Sequence, residues 1–125
     1  MIKSKISGVG YYVPENIVKN SDIEEMMDTS DQWIRERTGI EERRWVNDDK
    51  LSTSLMGTYA SEAAIKDAGI DKNDIDFIIF STLSPDYYFP GSGVLLQRNL
   101  KIKEVGALDV RNQCSGFIYG LSIAD

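Results

Sequence analysis

The stretch VGALDVRNQCSGFIYGLSIAD, residues 105–125, is the part of this chain that most directly indicates its fold. It begins with an apolar run at 105–110, crosses a short polar segment at 111–113, and continues from Cys114 into an apolar pattern typical of a helix. A buried strand that turns directly into a helix is the repeating step of folds with a largely parallel sheet. The stretch therefore predicts an α/β fold, with Cys114 at a junction between a strand and a helix.

The segments upstream alternate in the same way. Residues 77–80 form a continuous apolar run, which is typical of a strand covered on both faces. Thr53 or Ser54 can cap a helix that Gly69 would end, and a further helix is predicted over 92–99. This alternation of strands and helices supports the same fold class.

The first thirty residues predict one strand and one helix. The strand lies within residues 2–13 and is ended by Pro14. Ser21 and Glu24 have the spacing of a capping box, in which a hydroxyl and a carboxylate satisfy free backbone donors. We therefore expect a helix that starts within residues 20–24 and ends near Asp28.

A second helix start follows at once. Thr29 and Gln32 repeat the capping spacing, and Gly39 is suited to the helix end. Trp33 and Arg37 are four residues apart, so a helix would place both on one face.

Composition excludes several functional classes. The net charge of −6 argues against nucleic acid or an anionic membrane as the main partner. The chain has no histidine and a single cysteine, so we expect neither a metal site nor an internal disulfide. A free cysteine fits a reducing, cytoplasmic location best.

Cys114 is the residue best placed to carry chemistry. The first turn of a helix has unpaired N–H groups and a partial positive charge, which stabilise a thiolate and can later hold an oxyanion. Ser115 and Gly116 are small and leave the sulfur open to a substrate. The alternative is that Cys114 is a small, buried core residue, which is the commoner role of a lone cysteine.

Two motifs carry a resemblance to a known family. The segment DTSDQWIRERTGI, residues 28–40, and the segment CSGF, residues 114–117, followed by LSIAD at 121–125, resemble β-ketoacyl-acyl-carrier-protein synthase III enzymes. The resemblance implies a thiolase-like fold of α-β-α-β-α layers in an enzyme that usually forms homodimers. Residues 1–125 would be most of the first half, truncated within the nucleophile helix, and the C-terminal half would be absent.

The resemblance also implies a reaction. Cys114 would accept an acyl group from acyl-coenzyme A and pass it to malonyl-acyl carrier protein, with loss of carbon dioxide and no permanently bound cofactor. The family completes its site with a histidine and an asparagine from the second half, and neither is assigned in this chain. We therefore expect the 125-residue chain to be inactive alone.

The same resemblance suggests where coenzyme A binds. Thr29, Trp33 and Arg37 match the family region that holds its nucleotide end, where an indole stacks on adenine and a guanidinium meets phosphate. The alternative is that Trp33 packs in the core while Arg37 pairs with Glu36 or Glu41.

Phe89 matches a family residue at the dimer interface, where it limits acyl length in the partner's pocket; the alternative is an ordinary buried aromatic residue.

The polar segment at 111–113, just before Cys114, stands where many members carry small residues, and it could reshape the pocket. Two other functions therefore stay open. One is a thiolase-fold acyltransferase or condensing enzyme of secondary metabolism, and the other is a non-catalytic split half that only binds a partner.

Overall fold

The computed structural model describes residues 4–125, which form two compact units. The smaller unit consists of residues 13–51, and the larger one combines the N-terminal segment up to Tyr12 with residues 52–125. No helix among the described residues combines the length and apolar character needed to cross a membrane.

The smaller unit pairs a short antiparallel ladder with two helices. Its elements are β1 (Ile17–Lys19), α1 (Asn20–Glu24), α2 (Asp31–Thr38) and β2 (Glu42–Arg44). Val18 of β1 lies opposite Arg43 of β2. Its buried apolar residues are Pro14, Val18 and Ile34, so polar contacts carry much of the packing.

Asn20 is the centre of those polar contacts. Its side chain is 1% exposed, and its Nδ2 donates to Asp31 Oδ1 at 2.7 Å and to the Ile40 carbonyl at 2.8 Å. Its Oδ1 accepts a hydrogen bond from the Arg43 guanidinium at 2.7 Å. A buried amide is tolerated when its donors and acceptor are satisfied, and Asn20 thereby ties α1, α2 and β2 together.

The start of the first predicted helix is confirmed at Asn20, but its predicted capping box and its end near Asp28 are wrong. The Asp22 carboxylate accepts the Lys19 backbone N–H at 2.7 Å at the helix start, and Ser21 makes no cap. The Glu24 carboxylate accepts the backbone N–H of Asp31 instead of capping its own helix, and the helix ends at Glu24.

The second predicted helix is confirmed, with a different cap. Ser30, not Thr29, is the N-cap, and its Oγ accepts the Trp33 backbone N–H at 3.1 Å. The helix ends at Gly39, which has the left-handed φ of 72° that glycine adopts without strain.

The larger unit is built on a parallel strand pair. Its elements are α3 (Thr53–Ala68), a 3-10 turn (Lys72–Asp74), β3 (Phe77–Ser81), α4 (Ser92–Leu100), β4 (Gly106–Val110) and α5 (Gly116–Ala124). The strands align from Phe77 opposite Gly106 to Ser81 opposite Val110. The predicted α/β character and the order of these elements are confirmed, and α3 starts from Ser52 as its cap.

Alternate residues of β3 face different helices. Ile78 packs with Leu96 and Leu100 of α4 in the core, while Ile79 and Ser81 point towards α5. The expected burial of β3 on both faces is wrong at its start, where Phe77 is 55% exposed, because α5 covers only part of that face among the described residues.

The strand predicted within residues 2–13 is absent from the described part of that segment, residues 4–13, and the rest of that prediction lies outside the described residues. Gly8 and Gly10 instead lie directly on α3. A Cβ at Gly10 would approach the Ala60 carbonyl oxygen to 2.3 Å, and the Val9 N–H donates to Asp67 Oδ2 at 2.9 Å. The segment is therefore held by a helix surface.

Replacement of Asn20 by alanine tests the centre of the smaller unit. We expect Asn20→Ala in the complete protein to lower the local free energy of opening of α2 by about 1–3 kcal/mol, because buried partners lose their hydrogen bonds. Native-state hydrogen exchange measures this. The matched control Asn99→Ala, at an exposed position of α4, should change it by less than about 0.5 kcal/mol. Equal effects of the two variants would contradict the role of Asn20.

Candidate active site

Cys114 lies in the turn that joins β4 to α5, as the sequence predicts. The strand ends at Val110 and the helix begins at Gly116. The turn is closed by a hydrogen bond from the Gly116 N–H to the Gln113 carbonyl at 2.9 Å. The sulfur is therefore carried just before the N-terminus of a nine-residue helix.

Two glycines of α5 face β3. A Cβ at Gly116 would lie 3.5 Å from Ser81 Cβ, which is ordinary contact, whereas one at Gly120 would lie 3.0 Å from Ser81 Oγ and 3.6 Å from Ile79 Cγ2. Glycine at position 120 therefore lets the helix backbone approach β3 closely. This close packing fixes the start of α5, and with it Cys114.

Cys114 is exposed and opens onto a groove of about 980 Å³. Phe77 and Ile79 of β3 and Phe117 and Leu121 of α5 form apolar walls of this groove. The alternative of a buried core cysteine is therefore wrong for this chain. An accessible thiol beside an apolar groove can meet a substrate that carries a hydrocarbon group.

The start of α5 has no side-chain cap. Ser115 is the N-cap residue, and its Oγ donates to Asn112 Oδ1 at 3.3 Å rather than accepting from the helix amides. The backbone N–H groups of the first turn are thus left without a capping oxygen from that residue. Together with the partial positive charge of the helix, they can stabilise negative charge on sulfur or on an attacked carbonyl oxygen.

Two aspartates that were not predicted as functional hold the loop over residues 82–91. Asp109 Oδ1 accepts the backbone N–H groups of Ser92 at 2.8 Å and Gly93 at 3.1 Å, at the start of α4. Asp86 Oδ1 accepts the Ser54 N–H at 3.0 Å, at the start of α3. Both carboxylates cap helices. In the sequence, the only pattern that indicated such a role was a charged residue, Asp109, within an otherwise apolar strand.

Phe89 lies at the tip of that loop and is 89% exposed. The alternative of an ordinary buried aromatic residue is therefore wrong for this chain. Phe89 does not line the groove at Cys114, and the structure does not bring the two side chains together within the described chain.

Trp33 and Arg37 share a face of α2, as predicted. The Arg37 Cζ lies 5.8 Å from the centroid of the Trp33 ring, which is a cation–π distance. Trp33 is 55% exposed, so core packing of this residue is wrong. Arg35, and not Arg37, pairs with Glu41 at 2.6 Å.

Thr29 stands two residues before α2 and is half-buried. Thr29, Trp33 and Arg37 all belong to the smaller unit, whereas Cys114 and Phe89 belong to the larger one. The Glu36 alternative for Arg37 is also wrong, since no ion pair joins the two residues within residues 4–125, and Glu36 accepts a hydrogen bond from Gln32 at 2.8 Å.

The start of α2 carries a paired carboxylate. Asp31 accepts hydrogen bonds from Arg35 Nε at 2.8 Å and from Asn20 Nδ2 at 2.7 Å. The bond from Arg35, followed by the one from Asn20, lowers the pKa of Asp31 below its ordinary value of 3.8.

Across the described residues, no cluster of three or more carboxylates, cysteines or histidines is arranged to hold a metal ion.

No protein family model matches this chain. Among curated proteins, it is 51% identical over 122 residues to the beta-ketoacyl-[acyl-carrier-protein] synthase III of Chlamydia pneumoniae, a match that covers 98% of this chain and 36% of that protein. The chain thus spans a little over a third of the length of the curated relatives it matches.

Solved structures agree with this similarity. The 3-oxoacyl-[acyl-carrier-protein] synthase III of Aquifex aeolicus VF5 is 45% identical with a TM-score of 0.92, covering 97% of this chain and 39% of that one. The priming beta-ketosynthase of the R1128 polyketide biosynthetic pathway is 34% identical with a TM-score of 0.90, covering 96% and 36%. These likenesses confirm the thiolase-like α/β fold class for the part that this chain spans.

The Asp31 pairing predicts a titration that can be measured directly. We expect Arg35→Gln to raise the pKa of Asp31 towards its ordinary value, because the variant loses the largest hydrogen-bond contribution. Since the folded chain binds this proton more weakly than the unfolded chain, the associated stability is present above about pH 3.8 and is lost as the pH falls through the lowered pKa. Carboxyl-carbon NMR titration provides the test. An unchanged midpoint in Arg35→Gln, alongside the control Arg98→Gln, would refute the assignment.

Proposed function

We propose that the complete protein is a cytoplasmic β-ketoacyl-acyl-carrier-protein synthase III and that this chain is its N-terminal part, most of the first half of the fold. The main support is a single exposed thiol, Cys114, at the uncapped start of a helix and beside an apolar groove. The 51% identity to an enzyme of that name makes this function the best supported one. A reducing compartment keeps such a cysteine free.

In the first half-reaction, the Cys114 sulfur attacks the carbonyl carbon of acyl-coenzyme A. The carbonyl oxygen becomes an oxyanion near the first turn of α5, where unpaired N–H groups can stabilise it. The bond from the carbonyl carbon to the coenzyme A sulfur then breaks, and coenzyme A leaves as a thiol that takes up the proton. The acyl group remains on Cys114 as a thioester, which divides the transfer into two easier steps.

In the second half-reaction, malonyl-acyl carrier protein loses carbon dioxide, and the resulting carbanion attacks the acyl group on Cys114. A 3-oxoacyl product forms on the carrier protein, and the cysteine is regenerated; this step would initiate type II fatty acid synthesis. The supporting histidine and asparagine would come from the second half of the protein. The present 125 residues contain no histidine, so the chain alone would not complete the cycle.

Coenzyme A recognition is proposed for Thr29, Trp33 and Arg37. An exposed indole offers an aromatic surface for adenine, and a guanidinium on the same helix face suits phosphate. No carboxylate pairs with Arg37 within residues 4–125, so its charge is available for an anion. These features support the proposal that both side chains contact one nucleotide.

Phe89 is proposed as an acyl-length residue that acts across a homodimer. Its 89% exposure supports a role outside the chain that carries it. In that arrangement, the ring would enter the partner subunit's acyl pocket and set its depth.

A second candidate is a priming condensing enzyme of secondary metabolism. The likeness to the R1128 priming ketosynthase favours it, as does the polar segment at 111–113 before the nucleophile. Both candidates use Cys114 in the same way. The range of acyl primers that label the cysteine would separate them.

Acylation of the nucleophile is the direct test of the proposed function. We expect the complete protein to gain one acyl mass on Cys114 when it is incubated with acetyl-coenzyme A, as read by peptide mass spectrometry. The variant Cys114→Ala should fall to background labelling, whereas Ser61→Ala, a change on α3, should be labelled like the parent. Equal labelling of Cys114→Ala at another residue would overturn the assignment.

The nucleotide contact predicts a selective loss of binding. We expect Trp33→Ala to raise KM for acyl-coenzyme A by about 5- to 100-fold with little change in kcat, because stacking on a base contributes about 1–3 kcal/mol. Trp45→Ala is the matched control, since Trp45 is an exposed indole of the same unit at 42% exposure. Steady-state kinetics that show equal KM values for the two variants would contradict this role.

A further inference from the structure

One arginine joins the nucleophile turn to the loop that carries Phe89. The Nη2 of Arg111 donates a hydrogen bond to the Tyr88 backbone carbonyl at 2.5 Å. Its Cζ also lies 5.0 Å from the centroid of the Tyr88 ring. A single guanidinium therefore contacts both the backbone and the side chain of the residue next to Phe89.

The rest of the loop is held at its two ends. Thr53 Oγ1 donates to the Ser84 carbonyl at 2.8 Å, and Asp86 caps α3. Asp109 caps α4 directly after the loop. Within residues 4–125, the bond from Arg111 is the one hydrogen bond that reaches residues 87–90, so the tip of the loop depends on it.

The backbone next to Arg111 is fixed by the sheet. Val110 is the last residue of β4, and its carbonyl accepts the Thr82 N–H at 3.0 Å. Cys114 follows three residues after Arg111. The end of β4 therefore fixes the position of Arg111 as well as the start of the nucleophile turn. Arg111 in turn holds the tip of the loop.

We infer that Arg111 is a positioning residue that holds the Tyr88–Phe89 tip against the end of β4 in its own chain. It thereby fixes how deeply Phe89 enters the partner subunit's acyl pocket, and so which acyl chain lengths the enzyme accepts. This inference rests on the proposed function, because it takes Phe89 as the residue that limits the acyl pocket. Arg111 itself touches neither the substrate nor the sulfur in this role. Its loss loosens the tip of the loop, and longer acyl groups become better substrates relative to acetyl.

The contacts of Arg111 are expected to affect acyl selectivity more than the free energy of unfolding. Arg111 and Tyr88 are both exposed, and exposed cation–π contacts are weak. The arginine therefore contributes little to the overall fold. A change of chain-length preference is an effect that a merely structural role would not produce.

The experiment compares acyl selectivity in the complete protein. We expect Arg111→Ala to raise the ratio of kcat/KM for octanoyl-coenzyme A to that for acetyl-coenzyme A by about fivefold or more, the lower end of typical coupling between two sites. Arg111→Lys keeps a donor and a charge without the planar guanidinium, so its shift should be smaller and in the same direction. Arg98→Ala removes an exposed arginine of α4 and should leave the ratio unchanged.

An unchanged ratio in both Arg111 variants would overturn the inference. If Arg111→Ala does not fold, Arg111→Lys and Tyr88→Leu, which removes the ring contact, carry the same test. Limited cleavage by chymotrypsin after Tyr87 and Tyr88 gives a readout that needs no acyl transfer, and cleavage there should become faster in Arg111→Ala. Absence of acylation on Cys114 in the parent protein would instead refute the proposed function, so the two failures are distinct.

Discussion

The larger unit depends on the close approach of α5 to β3. Gly120 lets the helix backbone lie against Ser81 and Ile79, since an added Cβ would lie 3.0 Å from Ser81 Oγ, and Gly116 packs beside Ser81 at ordinary contact distance. Because β3 and β4 run parallel, the turn that follows β4 emerges at the same sheet edge as the end of β3. The position of Cys114 is therefore a consequence of backbone packing and needs no hydrogen bond to its own side chain.

Polar side chains hold the helices within each unit. In the larger unit, Asp109 and Asp86 cap the starts of α4 and α3. In the smaller unit, the neutral amide of Asn20 joins Asp31 to β2. Such capping satisfies backbone donors that water would otherwise solvate. It also keeps the loop over 82–91 in one place, which gives the exposed Phe89 a defined base.

Patterns local in the sequence predicted most of the fold. The strand, turn and helix around Cys114 were predictable because apolar periodicity and small residues act within a few positions. The N-terminal strand was predicted wrongly for residues 4–13, since Gly8 and Gly10 are fixed by residues of α3 that lie fifty to sixty positions away. The roles of Asn20 and Asp109 were also missed, because a buried polar hub is defined by partners that only the tertiary structure brings together. Trp33 and Arg37 were placed on one face correctly, as helical spacing alone determines that.

The uncapped start of α5 has a consequence for engineering. Ser115 turns its hydroxyl away to Asn112, so the protein forgoes an easy gain of about 1 kcal/mol in helix stability at this one junction. A designer who optimised every helix terminus would be drawn to this position first. An aspartate at position 115 would cap the helix but would place negative charge beside the sulfur. The same substitution would therefore raise thermostability and disfavour the reactive thiolate.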